Sequence, residues 1–337
     1  MTTFNYNTDV NSVPIAKQLS AIFRSIPDDD LLTALKAKTG RPGYTVEVLW
    51  KTYIAMVVLG LPTFASLIRS LQSNPVLAVA CGVTNDDGIP TKFAYSRFVG
   101  KLSQPKYVVM VKNIMRSLTR SLYVNLPNFA KSVAIDSTDI KAWANGAKKK
   151  TTDRDASWGA KLDTAGKKKF YFGYKLHLLV DTEYELPIAA NVATASIHDV
   201  RMASRVLSEA RFTNSKFHPD YVIADAGYSS DKLRRLIKRQ YRAKPIIKVS
   251  RAHKKALALF PETEEWKSLY NRRTAIERVN ARLKCYRRLN NVTVRRIQKV
   301  TVHCFLSLIV VQSQALYSAL NNQLSSVRQC VTSLQPC

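Results

Sequence analysis

The chain has 337 residues, 46% hydrophobic and 23% charged, which supports a buried core and excludes a disordered or collagen-like polypeptide. Its 52 Lys and Arg against 24 acids give a formal net charge of +28, a surplus that works against compactness and points to a polyanionic partner, nucleic acid ahead of a membrane surface. Five cysteines, an odd count with no C-x-x-C pair, argue against a disulfide framework or a zinc site and for a reducing compartment.

The first twenty residues lack a basic region followed by an apolar core, so no signal peptide is expected. Residues 1–40 read as a helical lead-in with polar breaks, and "GRPGY" at 40–44 punctuates the chain. Thr45 is placed to cap a helix carrying Val46, Leu49, Tyr53 and Met56 near helical spacing. Gly60 and Pro62 break it, and Ala65, Leu67, Ile68 and Leu71 start another. Two helices joined by a short Gly-containing turn suit a helix-turn-helix over 45–72, with a simple packed pair as the alternative. Residues 86–107 form a basic linker or short helix, and "YVVMVKNIMRSLTRSL" (107–122) predicts an amphipathic helix.

From about residue 130 the pattern changes. "SVAIDSTDIKAWA" reads as a strand, followed by a polar loop, "AKKKTTDRDASWGAKLDTAGKKK", with two lysine triplets. "FYFGYKLHLLVDTE" and "LPIAANVATAS" read as strands joined by a hairpin. "DVRMASRVLSEA" is a helix capped by Asp199. "PDYVIADAGYSS" is a strand ending in a turn, and "DKLRRLIKRQ" a helix capped by Asp231 or Ser230. "AKPIIKVS" is a strand. From about 262 the chain is helical to about 321, with a break near Asn290 and Asn291. The late apolar stretch at 300–320 is interrupted by His303, Gln312 and Ser313, so a buried helix is expected rather than a membrane span.

Three strands, helix, strand, helix, strand, helices is an α/β layer order that resembles the ribonuclease H-like arrangement, a mixed sheet with flanking helices. The expected organisation is an all-helical DNA-binding region at 1–128, a catalytic domain at 129–325 and a tail at 326–337.

Three acids stand out. Asp136 lies inside the apolar strand "VAIDST", where a carboxylate is costly without a partner or a metal. Asp225 ends a strand in "VIADAGY", the position where open α/β sheets collect reactive groups. Glu277 is the single acid among five cations in "YNRRTAIERVNARLK" (270–284). Taken as one continuous helix, this segment puts Tyr270, Arg273, Glu277 and Lys284 within roughly a 60° arc. Turn-capping aspartates and an Arg273–Glu277 surface pair are the plainer alternatives. Three carboxylates can hold two Mg²⁺ ions about 3.5–4 Å apart, one at the attacking and one at the leaving oxygen of a phosphodiester. The cations beside Glu277 would then bind DNA phosphates. Asp139 has the opposite strand parity to Asp136 and is not expected at the same site. Trp143 and Trp158 flank the lysine loop and could stack on bases or simply anchor the loop.

With these residues in view, the chain resembles the DDE class of bacterial and archaeal insertion-sequence transposases. "AIDSTDIKAWA", "GYKLHLLVD" with "ANVATASIHDVRMASRVL", "VIADAGYSS" and "YNRRTAIERVNARLK" carry the likeness. The last matches the family's spacing of Tyr, two residues, Arg, three residues, Glu, six residues, Lys. The resemblance implies Asp136, Asp225 and Glu277 as a metal-binding catalytic triad using two Mg²⁺ ions, with Mn²⁺ as a substitute. It implies Tyr270, Arg273 and Lys284 as contacts to transposon-end DNA. Lys148, Lys149, Lys150, Lys167, Lys168 and Lys169 are expected to contact phosphate. The activity implied is cleavage at terminal inverted repeats of double-stranded DNA and transfer of the freed 3′-OH into target DNA, by a homodimer. No covalent protein–DNA intermediate and no membrane partner are expected, and the location is cytoplasmic, with the nucleoid. A nuclease or resolvase that cuts without joining, and an inactive DNA-binding derivative, are the alternative readings.

Overall fold

The structure, a computed structural model, describes residues 13–36, 43–85, 88–148, 150–162, 166–249 and 262–329. The chain divides into two compact units. The first comprises Met1–Leu118, Cys285–Thr293 and Gln298–Cys337, and the second Thr119–Lys284 with Val294–Ile297.

The first unit is helical throughout its described residues. Helices α1 (Pro14–Ser25), α2 (Asp29–Leu35), α3 (Val46–Val58), α4 (Phe64–Ser73), α5 (Pro75–Ala80) and α6 (Lys92–Leu102) precede α7 (Pro105–Asn125), inside which the unit boundary falls. Thr45 caps α3 as its sequence position predicts, accepting from the Val48 amide at 3.3 Å. Thr63 and Ser66 form a reciprocal capping box on α4. Helix α3 is buried on nearly every side, whereas α4 buries only Leu67 and Leu71 and keeps Arg69 exposed. The late helix, called α12 here (Ile297–Leu320), runs unbroken for 24 residues and ends where the sequence predicts. By length and composition it could cross a membrane, yet its most apolar window is 94% buried within the protein. His303, Gln312 and Ser313 are buried with it, so it is a core helix.

The second unit is built on a six-stranded sheet: β1 (Ser132–Lys141), β2 (Ser157–Leu162), β3 (Lys168–Asp181), β4 (Pro187–Thr194), β5 (Tyr221–Ala224) and β6 (Lys244–Ile247). Strand β3 pairs antiparallel with β1, β2 and β4, while β1, β5 and β6 run parallel. Helices α8 (Asp199–Thr213), α9 (Asp231–Gln240), α10 (Glu264–Asn271) and α11 (Thr274–Tyr286) follow the strands in the order expected of a ribonuclease H-like sheet. The central strands read as apolar runs, with Val133, Ala134, Ile135, Leu178, Val180 and Ile223 fully buried.

Three local expectations need correcting. The loop between the lysine triplets contains β2, which extends the hairpin edge by pairing Ser157–Leu162 with Lys168–Gly173 of β3. Its polar, exposed composition hid the period-two signal, because this ribbon lies outside the core. The helix expected from 262 is broken between α10 and α11: the amides of Arg272, Arg273, Ala275 and Ile276 each bond the carbonyl three residues back. That tightening to about three residues per turn removes the single-helix arc drawn through Tyr270 and Glu277. Finally, neither Asp199 nor Ser230 caps its helix with a side-chain bond; Asp199 is the first residue of α8 and His198 the N-cap.

Gly173 marks a crossing where three strands meet. A Cβ there would stand 2.0 Å from the Ile140 carbonyl oxygen and 2.8 Å from the Ala142 amide nitrogen. Both obstacles are backbone and cannot step aside. Gly173→Ala is therefore expected to destabilise the protein by about 2–4 kcal/mol, read as a lowered urea midpoint.

Candidate active site

Asp136 and Asp225 are brought together by the ladder itself. The last parallel pair of β1 and β5 is Ile135↔Ala224, so the next residue on each strand is an acid. Asp225 then turns into a short 3-10 segment, Ala226–Tyr228, accepting from the Gly227 amide at 2.9 Å. On the far side of β1, Asp136 lies opposite Leu178 of β3. Burial pushes the Asp136 carboxyl up to about 7; the charges of Asp225 and Asp199 add to the rise, and the Ser137 amide and Arg273 oppose it. Burial raises Asp225 as well, against the Gly227 amide and Arg273. Two acids held at matching positions of adjacent strands resist joint ionisation.

Arg273 is the counter-charge. It lies in the field of Asp136, Asp225 and Glu277 at once. Its Nη2 donates to Glu277 Oε1 at 2.7 Å. Its guanidinium carbon stands 5.6 Å from the centre of the Tyr270 ring, which stacks on Trp266 at 4.9 Å and 10°. Lys248 Nζ lies 5.9 Å from the same ring centre. Tyr270, Arg273 and Glu277 therefore remain one cluster although the helix between them is broken. Glu277 is half exposed and engaged by Arg273. Among the described residues no group of three His, Cys, Asp or Glu is arranged to hold a metal ion, so the three acids do not form a closed ligand set in this arrangement.

Lys284 stands apart from that cluster. It donates to Asp139 Oδ1 at 2.7 Å, an oxygen it shares with Lys161 at 2.9 Å. Burial would raise the Asp139 carboxyl, but these two bonds outweigh it and hold it below the usual carboxylate range. Asp139 is not remote from α11, despite its strand parity. Asn280, one turn before Lys284, points Nδ2 at Asp136 Oδ2 across 3.5 Å, the outer limit of a hydrogen bond. One helix thus addresses both acids of β1. Lys148, Lys150, Lys167, Lys168 and Lys169 are all exposed, around the β2–β3 ribbon; Lys149 lies outside the described residues.

Five further side chains contribute in ways the sequence alone does not show. Asp199 accepts from Lys175 Nζ at 2.9 Å and stands 3.9 Å from His177 Nδ1. Burial drives the imidazole of His177 down to about 4, so it is neutral beside them. Lys175 and His177 alternate on β3 toward α8, a period-two pattern visible in "YKLHL". Tyr228, fully buried, places its hydroxyl in the field of Asp136, Asp199 and Asp225, and burial raises it well above the usual phenol range. Glu185, in the β3–β4 turn, is 5% exposed and bonds both Arg278 at 2.7 Å and Arg282 at 2.5 Å, clamping the helix that carries Glu277. Nothing local in the sequence links that turn to a helix some ninety positions later.

Residues 127–312 match the family described as Transposase DDE domain, and residues 11–101 match the family described as Transposase domain (DUF772). No curated protein matches the sequence. Among solved structures, the chain is similar to the piggyBac transposase synaptic complex with hairpin DNA, at 10% identity and a TM-score of 0.48, over 95% of this chain and 79% of that one. It also aligns with the Mos1 transposase paired-end complex with left transposon end, at 11% identity and a TM-score of 0.21, over 77% of this chain and 83% of that one.

Two outcomes follow from the geometry. With its folded value near 7, above the unfolded range, Asp136 contributes stability that is full below about pH 4 and lost as pH rises through about 7. Asp136→Asn removes that loss. Without divalent cations the variant should melt about 4–8 °C above the parent at pH 8, and the gap should close as pH falls toward 4. Glu185→Ala leaves two arginines without their shared acid and should cost about 2–4 kcal/mol, measured by chemical denaturation.

Proposed function

The chain belongs to the transposase DDE-domain family, and on that premise we propose that it cuts DNA at transposon ends and joins the freed 3′-OH to target DNA, with Asp136, Asp225 and Glu277 as its catalytic acids. The observation that carries this reading is the placement of Asp136 and Asp225 one rung beyond Ile135↔Ala224, next to Arg273, within the matched region.

The donor set fits a hard divalent cation. All three acids offer oxygen only, and the desolvated pair of aspartates has more negative charge than one guanidinium balances. Asp136 and Asp225 would hold Mg²⁺, with Mn²⁺ able to replace it, and Glu277 would join them on release from Arg273. When bound, two such ions supply charge stabilisation for the attacking and leaving oxygens of an in-line displacement.

The protein's own groups then have separate tasks. Asp136 must give up the proton that burial favours, which a cation promotes. Arg273 trades the Glu277 carboxylate for a DNA phosphate, an exchange between two anions that suits its planar fork. Tyr270, stacked on Trp266, holds the guanidinium at its working height. Lys284 fixes the C-terminal half of α11 to β1 through Asp139, a task added to the DNA contact its family position implies.

The chemistry balances without an energy source. Water attacks phosphorus at the element's end, the P–O3′ bond breaks, and the oxygen leaves as a 3′-OH. That hydroxyl then attacks a target phosphodiester and displaces another 3′ oxygen, so each bond broken is matched by one formed. Lys148, Lys149, Lys150, Lys167, Lys168 and Lys169 would bind phosphates of the end or the target. The helical first unit would bind the terminal inverted repeats, with α4 as the more accessible member of the α3–α4 pair. Two such ends held together call for a homodimer.

The test uses the full chain with Mg²⁺ or EDTA on DNA carrying the inverted repeats that flank its gene. Asp225→Ala should lower nicking by about 100-fold or more while end binding stays within about twofold. Precut ends should yield joined product. Cleavage with no joining would make it a nuclease, and wild-type binding with no cleavage would make it a DNA-binding protein only.

A further inference from the structure

The ribbon formed by β2 and the first half of β3 presents an aromatic face that the catalytic cluster does not use. Trp158 pairs across the ribbon with Phe172, and Ala160 with Phe170, so these four share one face. Trp158 and Phe172 are in contact, with ring centres 5.6 Å apart at 55°. The segment after β1 is seated on the same strand: the Ala142 amide donates to the Phe172 carbonyl at 2.9 Å, and a Cβ on Gly146 would stand 2.4 Å from the Phe172 ring. Trp143 is therefore carried to the edge of the ribbon. Trp143, Trp158 and Phe170 are 53%, 52% and 69% exposed.

A single exposed ring is ordinary, but three on one ribbon form a patch that a monomer avoids unless it meets something. The chemistry around it selects the partner. Lys168 shares strand parity with Phe170 and Phe172, Lys148 and Lys150 follow the Gly146 segment seated on Phe172, all three are exposed, and lysine is depleted from protein–protein interface cores. Cations interleaved with open aromatic faces match a nucleic acid whose bases are accessible. In an intact duplex each base face is already covered by its neighbours, so the rings have nothing to stack on. Bases become available where strands part or a cut end frays.

We propose that the β2–β3 ribbon is a stacking platform for unpaired DNA bases, with Phe170, Trp158 and Trp143 taking base faces and Lys148, Lys150 and Lys168 the adjoining phosphates. The proposal rests on the DNA-processing reading above for the origin of such bases, but binding can be measured without cleavage.

The full chain in EDTA is titrated into a labelled 20-nucleotide single strand and into a blunt duplex of the same sequence. Phe170→Ala and Trp143→Ala should each weaken single-strand binding about fivefold or more and change duplex binding by less than about twofold. Phe170→Tyr should retain binding. The double change Lys148→Ala/Lys150→Ala should weaken both and flatten the salt dependence. Because Trp158 touches Phe172, its alanine variant is read beside a thermal melt, and the conclusion stands on the two more independent positions. For the aromatic variants, equal losses on both substrates or no loss on either would overturn the proposal, as would no single-strand binding by the parent. A change in sedimenting mass with DNA affinity intact would overturn it in favour of a protein contact. Failure of the parent to cleave DNA in Mg²⁺ would sink the catalytic reading and leave this one standing.

Discussion

The structure of the second unit is organised around a repulsion. Two carboxylates sit side by side on neighbouring strands, Asp136 within β1 and Asp225 just past the end of β5, both partly withdrawn from water and both raised by burial. A fold that wanted stability alone would place an amide or an apolar side chain at one of them. Arg273 answers the repulsion with one positive charge, and it can do so because the chain breaks between α10 and α11. The tightened turn holds Arg273 over the Tyr270 ring and within reach of Glu277. The site is thus balanced by a single guanidinium that is at the same time the partner of Glu277.

The supports of this cluster are charged rather than apolar. Glu185 grips two arginines of α11 from the β3–β4 turn, and Asp139 grips Lys284 from β1. Both anchors act on the middle and C-terminal half of α11, at Arg278, Arg282 and Lys284. Along the same helix the apolar stripe of Ala275, Ile276, Val279 and Leu283 is buried, so packing sets the helix's depth. The charge pairs restrain its rotation and sliding. Asp199 plays a related part on the other face, holding Lys175 beside a neutral His177 while adding to the negative field at the strand ends.

Much of this was legible in the residues. Asp136 in an apolar run and Asp225 at the end of another are conspicuous because a buried acid is costly, and the patterning shows the succession of strands and helices along the chain, β2 excepted. What could not be read has physical causes. Strand β2 lies on a ribbon with one open face, and its covered face carries Gly159 against Tyr171 and Ala195 where an apolar side chain would have marked the alternation. The break at Arg272–Arg273 contains no Gly or Pro, so sequence offered no reason to interrupt a helix there. Asp199 looked like a cap because caps are local, while its actual partners sit on β3. The grip of Glu185 on α11 is set by tertiary packing alone.

The β1–β5 ladder carries one more implication. Because Asp136 and Asp225 each follow the Ile135↔Ala224 rung, their spacing is inherited from main-chain geometry and owes little to the rotamers around them. Side chains nearby can drift over generations without moving the two acids apart. An insertion or deletion of one residue within either strand has the opposite effect, since it swings one acid to the reverse face. Tolerance to substitution with intolerance to length change is therefore written into this corner of the sheet.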